Sequence, residues 1–274
     1  MIKRPILRYH GGKFLLAPWI ISHFPKHRTY VEAFGGAGSV LLRKPRSLGE
    51  VYNDRWDTVV NVFEVLRDPL LAERLRELLV LTPFARTEYE RIGEADITGC
   101  ADPVEKARRT ILRSFAGFGS ASTNAEYATA FRANTRSAGT NCARDWANYP
   151  GHLRHFTERL RGVTIENRDY REVLAQQDAP ETLFFLDPPY VHATRNMNRG
   201  NSAYVHEFSD ADHAELARIC WGLKGTVIIC GYPSALYDDL FAGWHISSRA
   251  ALADGAVARV EYLWSNRPFA HKLF

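Results

Sequence analysis

The chain is 274 residues long, 46% hydrophobic and 24% charged, which is enough apolar side chain for a core and enough charge for solubility, so disordered, collagen-like and coiled-coil polypeptides are excluded. The formal charge of +4 is a mild bias towards acidic partners. No run approaches the roughly 18 apolar residues of a membrane helix, and the opening Met1-Ile2-Lys3-Arg4-Pro5 meets Arg8, His10 and Lys13 where a signal peptide needs an apolar stretch. No membrane association is expected, and the cytoplasm is the default location. The cysteines, at 100, 142, 220 and 230, form no Cys-x-x-Cys pair, so they are expected to be free thiols, with no zinc site and no metal.

In chain order, residues 30–34 and 51–54 read as short strands, each followed by a helical stretch, 38–43 and 56–67. Residues 70–81 and 104–115 read as helices, and 117–148 is a Gly, Ser, Ala, Thr and Asn tract without a clear period. Strand and helix then alternate again: strands at 163–167, 183–187 and 226–231, helices near 169–177 and 210–223, and a final strand at 257–264. Such alternation predicts an α/β domain with a doubly wound, mostly parallel sheet. The discordant middle predicts an insertion after the second strand, with a sheet domain at 1–67 and 163–274 and a mainly helical domain at 68–162. The positive excess is in this middle part, with ten Lys and Arg against five Asp and Glu between residues 100 and 161. That distribution suits either a solvated surface or a nucleic-acid partner.

Three motifs carry chemistry. Val31 to Ser39 is a strand running into a glycine-rich turn and a helix, where glycine lets backbone approach a ligand. A dinucleotide fingerprint would need a glycine where Leu41 stands, which argues against a nicotinamide enzyme. Asp54, at the end of the next strand, is placed either to accept hydrogen bonds from a ribose or to cap the helix that follows. The most specific feature is the apolar strand 183–186 ending in Asp187-Pro188-Pro189-Tyr190. There a carboxylate, carbonyls freed from pairing by two prolines, and an aromatic plate converge, a set that fits a planar ring bearing an NH2 group.

On these residues the chain resembles the DNA adenine-N6 methyltransferases of the Dam-like group, especially phage and prophage members. Leu7-Arg8-Tyr9-His10-Gly11-Gly12-Lys13 is similar to that family's Leu-Lys-Trp-x-Gly-Gly-Lys segment, with Tyr9 in the Trp position, and residues 32–39 to its Glu-Pro-Phe-x-Gly-x-Gly-Ser loop, with Ala33 for Pro. Asp169-Tyr170 is similar to an Asp-aromatic pair beside the cofactor adenine, although Asp169 equally suits an N-cap, and His213 reads as structural rather than catalytic. The resemblance implies a Rossmann-like class I methyltransferase sheet binding S-adenosyl-L-methionine through Tyr9, Lys13, Phe34, Gly36, Gly38, Asp54, Asp169, Tyr170 and Asp187. It implies catalysis by Asp187, Pro188, Pro189 and Tyr190 on an adenine flipped out of double-stranded DNA.

In the same view the inserted domain reads the target, with Arg113, Arg132, Arg136 and Arg144 as candidate DNA contacts. The Arg113-Ser114-Phe115-Ala116-Gly117-Phe118-Gly119 run does not reproduce the hairpin of GATC-reading members, so GATC is not implied as the target. A monomer is the default. The alternatives are methyl transfer to an RNA or protein amide, and a DNA-binding relic without activity.

Overall fold

Short, strongly apolar runs separated by helices leave a parallel sheet as the way to bury both faces of each run. β1 (Thr29–Glu32), β2 (Gly49–Asn53), β3 (Val163–Glu166), β4 (Thr182–Leu186) and β5 (Thr226–Gly231) form such a sheet. β6 (His245–Leu252) and β7 (Ala258–Ser265) close one edge. The computed structural model describes residues 2–119, 129–133, 141–195, 204–252 and 258–270. In it the strand order is β3-β2-β1-β4-β5-β7-β6, with β1 to β5 parallel to one another and β7 antiparallel to both β5 and β6. This is the Rossmann-like α/β class expected.

The order reverses direction at β1 and β4: from β1 the chain winds outward to β2 and β3, and from β4 outward to β5. In open parallel sheets ligands bind at the carboxyl ends of strands where the winding switches. β1 and β4 are in register from Thr29↔Thr182 to Glu32↔Phe185, so the glycine loop after β1 and the Asp187 turn after β4 leave the sheet side by side. All five residues of β4 are buried, as befits a strand at the centre. Val31, Phe184, Val227 and Ile229 pack in one cluster with Leu174, Leu216 and Trp264. The helices around the sheet are α1 (Ala17–Ser22), α2 (Ser39–Arg43), α10 (Tyr170–Gln177), α11 (Asp210–Gly222) and α12 (Ala235–Leu240).

The chain divides into two compact units, one of residues 13–55 and 162–274 that holds the sheet, and one of residues 1–12 and 56–161. The second unit contains α3 (Asp57–Arg67), α4 (Pro69–Leu81), α5 (Arg86–Glu90), α6 (Glu94–Thr98), α7 (Pro103–Ala116), α8 (Cys142–Asn148) and α9 (Leu153–Leu160). It therefore begins at Trp56 rather than 68 and also takes in the first dozen residues. The reasons are local. Ile6 and Leu7 are buried, the Tyr149 hydroxyl donates to the Ile6 carbonyl at 2.8 Å, and the Arg4 guanidinium lies over the Phe115 and Tyr149 rings. α3 is tied to α7 by Lys106–Asp57 at 2.7 Å and by Asn61 donating to the Pro103 carbonyl at 2.9 Å.

α4 and α7 start where the sequence places an aspartate before a proline: Asp68 and Asp102 accept from the first free backbone N–H groups. α8 falls inside the tract expected to be irregular. Asn141 caps it, and the buried Trp146 fastens it by donating to the Thr82 carbonyl at 2.8 Å. Among the described residues no helix is long and apolar enough to cross a membrane. None of the four cysteines, all among the described residues, is in a disulfide, and three of them are buried.

Candidate active site

Each glycine of the loop after β1 has its own reason. A Cβ at Gly35 would lie 2.2 Å from the Tyr52 ring, and Gly36 and Gly38 have φ of 48° and 59°, the left-handed region that side chains resist. The loop is fastened from three sides. The Gly36 N–H donates to Asp54 Oδ2 at 2.7 Å, the Tyr52 hydroxyl to the Gly36 carbonyl at 2.7 Å, and the Gly35 N–H to the Asn53 carbonyl at 2.7 Å. Asp54 thus braces the glycine turn, while α3 begins at Asp57, with Trp56 in the N-cap position and no side-chain cap. Glu32, at the end of β1, accepts from the Tyr30 hydroxyl at 2.7 Å and the Leu41 N–H at 2.9 Å. Burial pushes its carboxyl up to about 8, and through these bonds it brackets the start of α2.

Beside this loop stands an aromatic cluster. Phe34, Tyr170 and Phe208 have ring centroids 5.1 to 5.7 Å apart. The Tyr170 hydroxyl is buried without a hydrogen-bond partner among the described residues. Asp169 caps α10 through the Arg171 N–H at 3.0 Å and is paired with Arg55 at 2.7 Å and with the Arg171 guanidinium at 3.1 Å. Burial opposes its ionisation, yet the Arg171 backbone and guanidinium, with Arg55, hold it below the ordinary aspartate value.

At the Asp187-Pro188-Pro189-Tyr190 turn the charges converge. Lys13, shortly before α1, places its ammonium 2.9 Å from Asp187 Oδ2 and 3.7 Å from Glu261 Oε1. Asp187 Oδ1 is buried and has no hydrogen-bond partner among the described residues. The Tyr190 hydroxyl donates to Glu261 Oε1, and the Cys230 thiol donates to the same oxygen at 3.0 Å. The Lys13 ammonium also stands over the Tyr190 ring, 4.7 Å from its centroid, and Tyr232 meets that ring edge-on at 4.7 Å. Burial pushes the Asp187 carboxyl up to about 6 against the pull of Lys13. For Lys13, burial works downward, but Asp187 and Glu261 carry it well above the ordinary lysine value.

The sheet unit therefore contains Lys13, Phe34, Gly36, Gly38, Asp54, Asp169, Tyr170, Asp187, Pro188, Pro189 and Tyr190. Tyr9 belongs to the other unit, its ring 6.4 Å from that of Trp56. Among the expected DNA contacts, Arg113 is corrected: it is buried, donating to the Ile92 carbonyl at 2.7 Å with its guanidinium over Tyr89. Its stretch of α7 is enclosed on every side, since all residues from Thr110 to Ala116 are buried. Arg132 is half-buried, donating to the Phe115 carbonyl at 3.3 Å, Arg144 is exposed on α8, and Arg136 lies outside the described residues. His213 is buried against Tyr237, and that burial lowers it to about 4. Glu261 and Cys230 were absent from the expected site. The available signal was in β7, where Val260 is 43% exposed and Glu261 3%, a charge on the inward parity beside an apolar residue on the outward one.

The D12 class N6 adenine-specific DNA methyltransferase family matches residues 9–252 of the chain. A DNA adenine methylase of Salmonella typhi is 26% identical over 252 residues, covering 87% of this chain and 84% of that protein. The DNA adenine methylase of Escherichia coli K12 is 25% identical, covering 80% and 76%. The modification methylase LlaI of Lactococcus lactis is 24% identical over 72% of this chain and 31% of its own length.

Proposed function

Since the chain belongs to the D12 class N6 adenine-specific DNA methyltransferase family, an enzyme family that methylates adenine N6 in DNA, we propose which of its residues hold the methyl donor and the base, and how they act. The observation that carries this reading is the Asp187 carboxylate, with one oxygen held by Lys13 and the other buried and unpartnered among the described residues. A buried acceptor without a donor is costly, and the exocyclic NH2 of adenine supplies that donor.

The residues present suit S-adenosyl-L-methionine as the donor. The braced Gly36 and Gly38 turn admits a ligand close to backbone, and the Phe34–Tyr170 cluster with the unpartnered Tyr170 hydroxyl offers a flat, partly polar wall for an adenine ring. Asp54 and Asp169 supply carboxylates for hydroxyl groups. When bound, the cofactor supplies an electrophilic methyl group on a sulfonium, whose C–S bonding pair leaves with sulfur.

The target N6 is paired inside the duplex, so the adenine is flipped out at a cost of roughly a few kcal/mol. Stacking on Tyr190, worth about 1–3 kcal/mol by analogy with single-strand binders, offsets much of it. Asp187 Oδ1 and the Pro188 carbonyl accept the two N6 hydrogens, so the nitrogen lone pair turns out of conjugation and towards the methyl carbon. N6 forms the new N–C bond and then releases one proton, with Asp187 as the nearest acceptor. Fixed orientation and a fixed negative charge beside a developing positive one do the work. The unit of residues 1–12 and 56–161, with Arg132 and Arg144, is the candidate reader of a specific duplex site.

The test is methyl transfer from labelled S-adenosyl-L-methionine to unmethylated duplex DNA, with nucleoside analysis and modification-aware sequencing. N6-methyladenine in one sequence context is the expected product. Asp187→Ala is expected to abolish turnover while cofactor binding stays within a few-fold of wild type, and near-normal turnover by this variant would overturn the role of Asp187.

A further inference from the structure

We propose that Glu261 is a positioning residue of the methyl-transfer site: it locks the Tyr190 plate and, through Lys13, sets which Asp187 oxygen stays open. The inference rests on the reading of Asp187 as the acceptor for adenine N6.

The argument begins with topology. β7 runs antiparallel to β5, pairing Gly231 with Tyr262, so its first half lies at the carboxyl ends of the parallel strands, where the crevice is. Glu261 therefore faces the Asp187 turn, although it lies far along the sequence from Lys13. It is 3% exposed, and burying a carboxylate is unfavourable unless its lone pairs are used. Here one oxygen, Oε1, gathers the Tyr190 hydroxyl, the Cys230 thiol at 3.0 Å and the Lys13 ammonium at 3.7 Å.

The consequences concern geometry. A tyrosine ring can turn about two side-chain bonds, and a hydroxyl tied to a buried carboxylate holds it in one orientation, as a stacking plate requires. The Lys13 ammonium lies between two carboxylates and contacts Asp187 through Oδ2, which leaves Oδ1 for the substrate. An apolar side chain in place of Glu261 would fill the same interior at no cost in buried charge, but it would leave the Tyr190 hydroxyl and Lys13 without this partner.

The test compares wild type with Glu261→Gln, Glu261→Ala, Tyr190→Phe and the double variant Glu261→Ala/Tyr190→Phe. Single-turnover methyl transfer, cofactor Kd, duplex Kd and melting temperature are read for each. Glu261→Ala is expected to lower the single-turnover rate about ten- to a hundredfold, with both Kd values within about threefold. Glu261→Gln, which keeps an acceptor for the Tyr190 hydroxyl but not the charge beside Lys13, is expected to recover part of that loss and to remain slower than wild type. The double variant is expected to be no slower than the slower single variant, because the two groups act as one unit.

A wild-type rate in folded Glu261→Gln, or losses that multiply in the double variant, would overturn the proposal. Should Glu261→Ala fail to fold, the isosteric Glu261→Gln and its combination with Tyr190→Phe decide by the same criteria. Wild-type and Asp187→Ala assays run alongside keep the two readings apart. If they behave as expected while the Glu261 variants are normal, only the positioning role falls; if wild type makes no N6-methyladenine, the reading beneath it falls.

Discussion

At the scale of single residues, the site is a balance of burial against charge. Asp187 offers the amine a full negative charge and a place for its proton only when ionised, and burial raises its carboxyl to about 6. The free enzyme's kcat/KM is therefore expected to fall as pH drops through about 6, not near the ordinary aspartate value of about 4; a pH–rate profile on duplex DNA checks this. The same shift acts on stability with a definite sign. Between about pH 4 and 6 the folded chain holds a proton that the unfolded chain has released, so this residue's contribution to stability declines as pH rises across that window. Gly35 offers a second test. With a Cβ 2.2 Å from the Tyr52 ring, Gly35→Ala is expected to destabilise by about 1–3 kcal/mol and to weaken cofactor binding, read by denaturant melts and a cofactor titration. The glycine turn and the Asp187 turn stand out in the sequence because their residue types are tied to local geometry, whereas the bond from the Gly36 N–H to Asp54 was not among the roles the sequence offered. Glu261 does not stand out, because its partners Tyr190, Cys230 and Lys13 lie far away in sequence and only the folded sheet brings them together.

At the scale of elements, what could be read followed the strength of the local pattern. β4 is a continuous apolar run buried at every position, α7 begins at an Asp-Pro cap, and both were expected close to where they lie. β6, reading His245-Ile246-Ser247-Ser248-Arg249-Ala250-Ala251-Leu252, has Ile246 outward at 53% exposure, so no alternation marks it and only its ladder with β7 makes it a strand. α8 was hidden in a tract of turn-forming residues, and what makes it a helix is one cap and one anchored indole. Asn141→Ala removes the cap and is expected to lower stability by about 1 kcal/mol, seen as a lower urea midpoint at unchanged slope.

At the scale of the whole molecule, the composition shift suggested an insertion at 68–162, whereas the compact helical unit also takes in residues 1–12 and α3. That assignment depends on tertiary contacts such as Tyr149 to Ile6 and Lys106 to Asp57. If the exposed Arg144 of this unit neutralises a phosphate, Arg144→Ala will weaken duplex binding about equally across sequences and flatten the slope of log affinity against log salt by about 1, with cofactor affinity unchanged; titrations at several salt concentrations check it. The placement of Glu261 also has a temporal side. Lys13 emerges from the ribosome long before Glu261, and β7 pairs between β5 and β6. Glu261 can therefore meet Tyr190 and Lys13 only after β7 is made and paired. A growing chain that stops short of β7 thus carries the Asp187 turn without this carboxylate beside it.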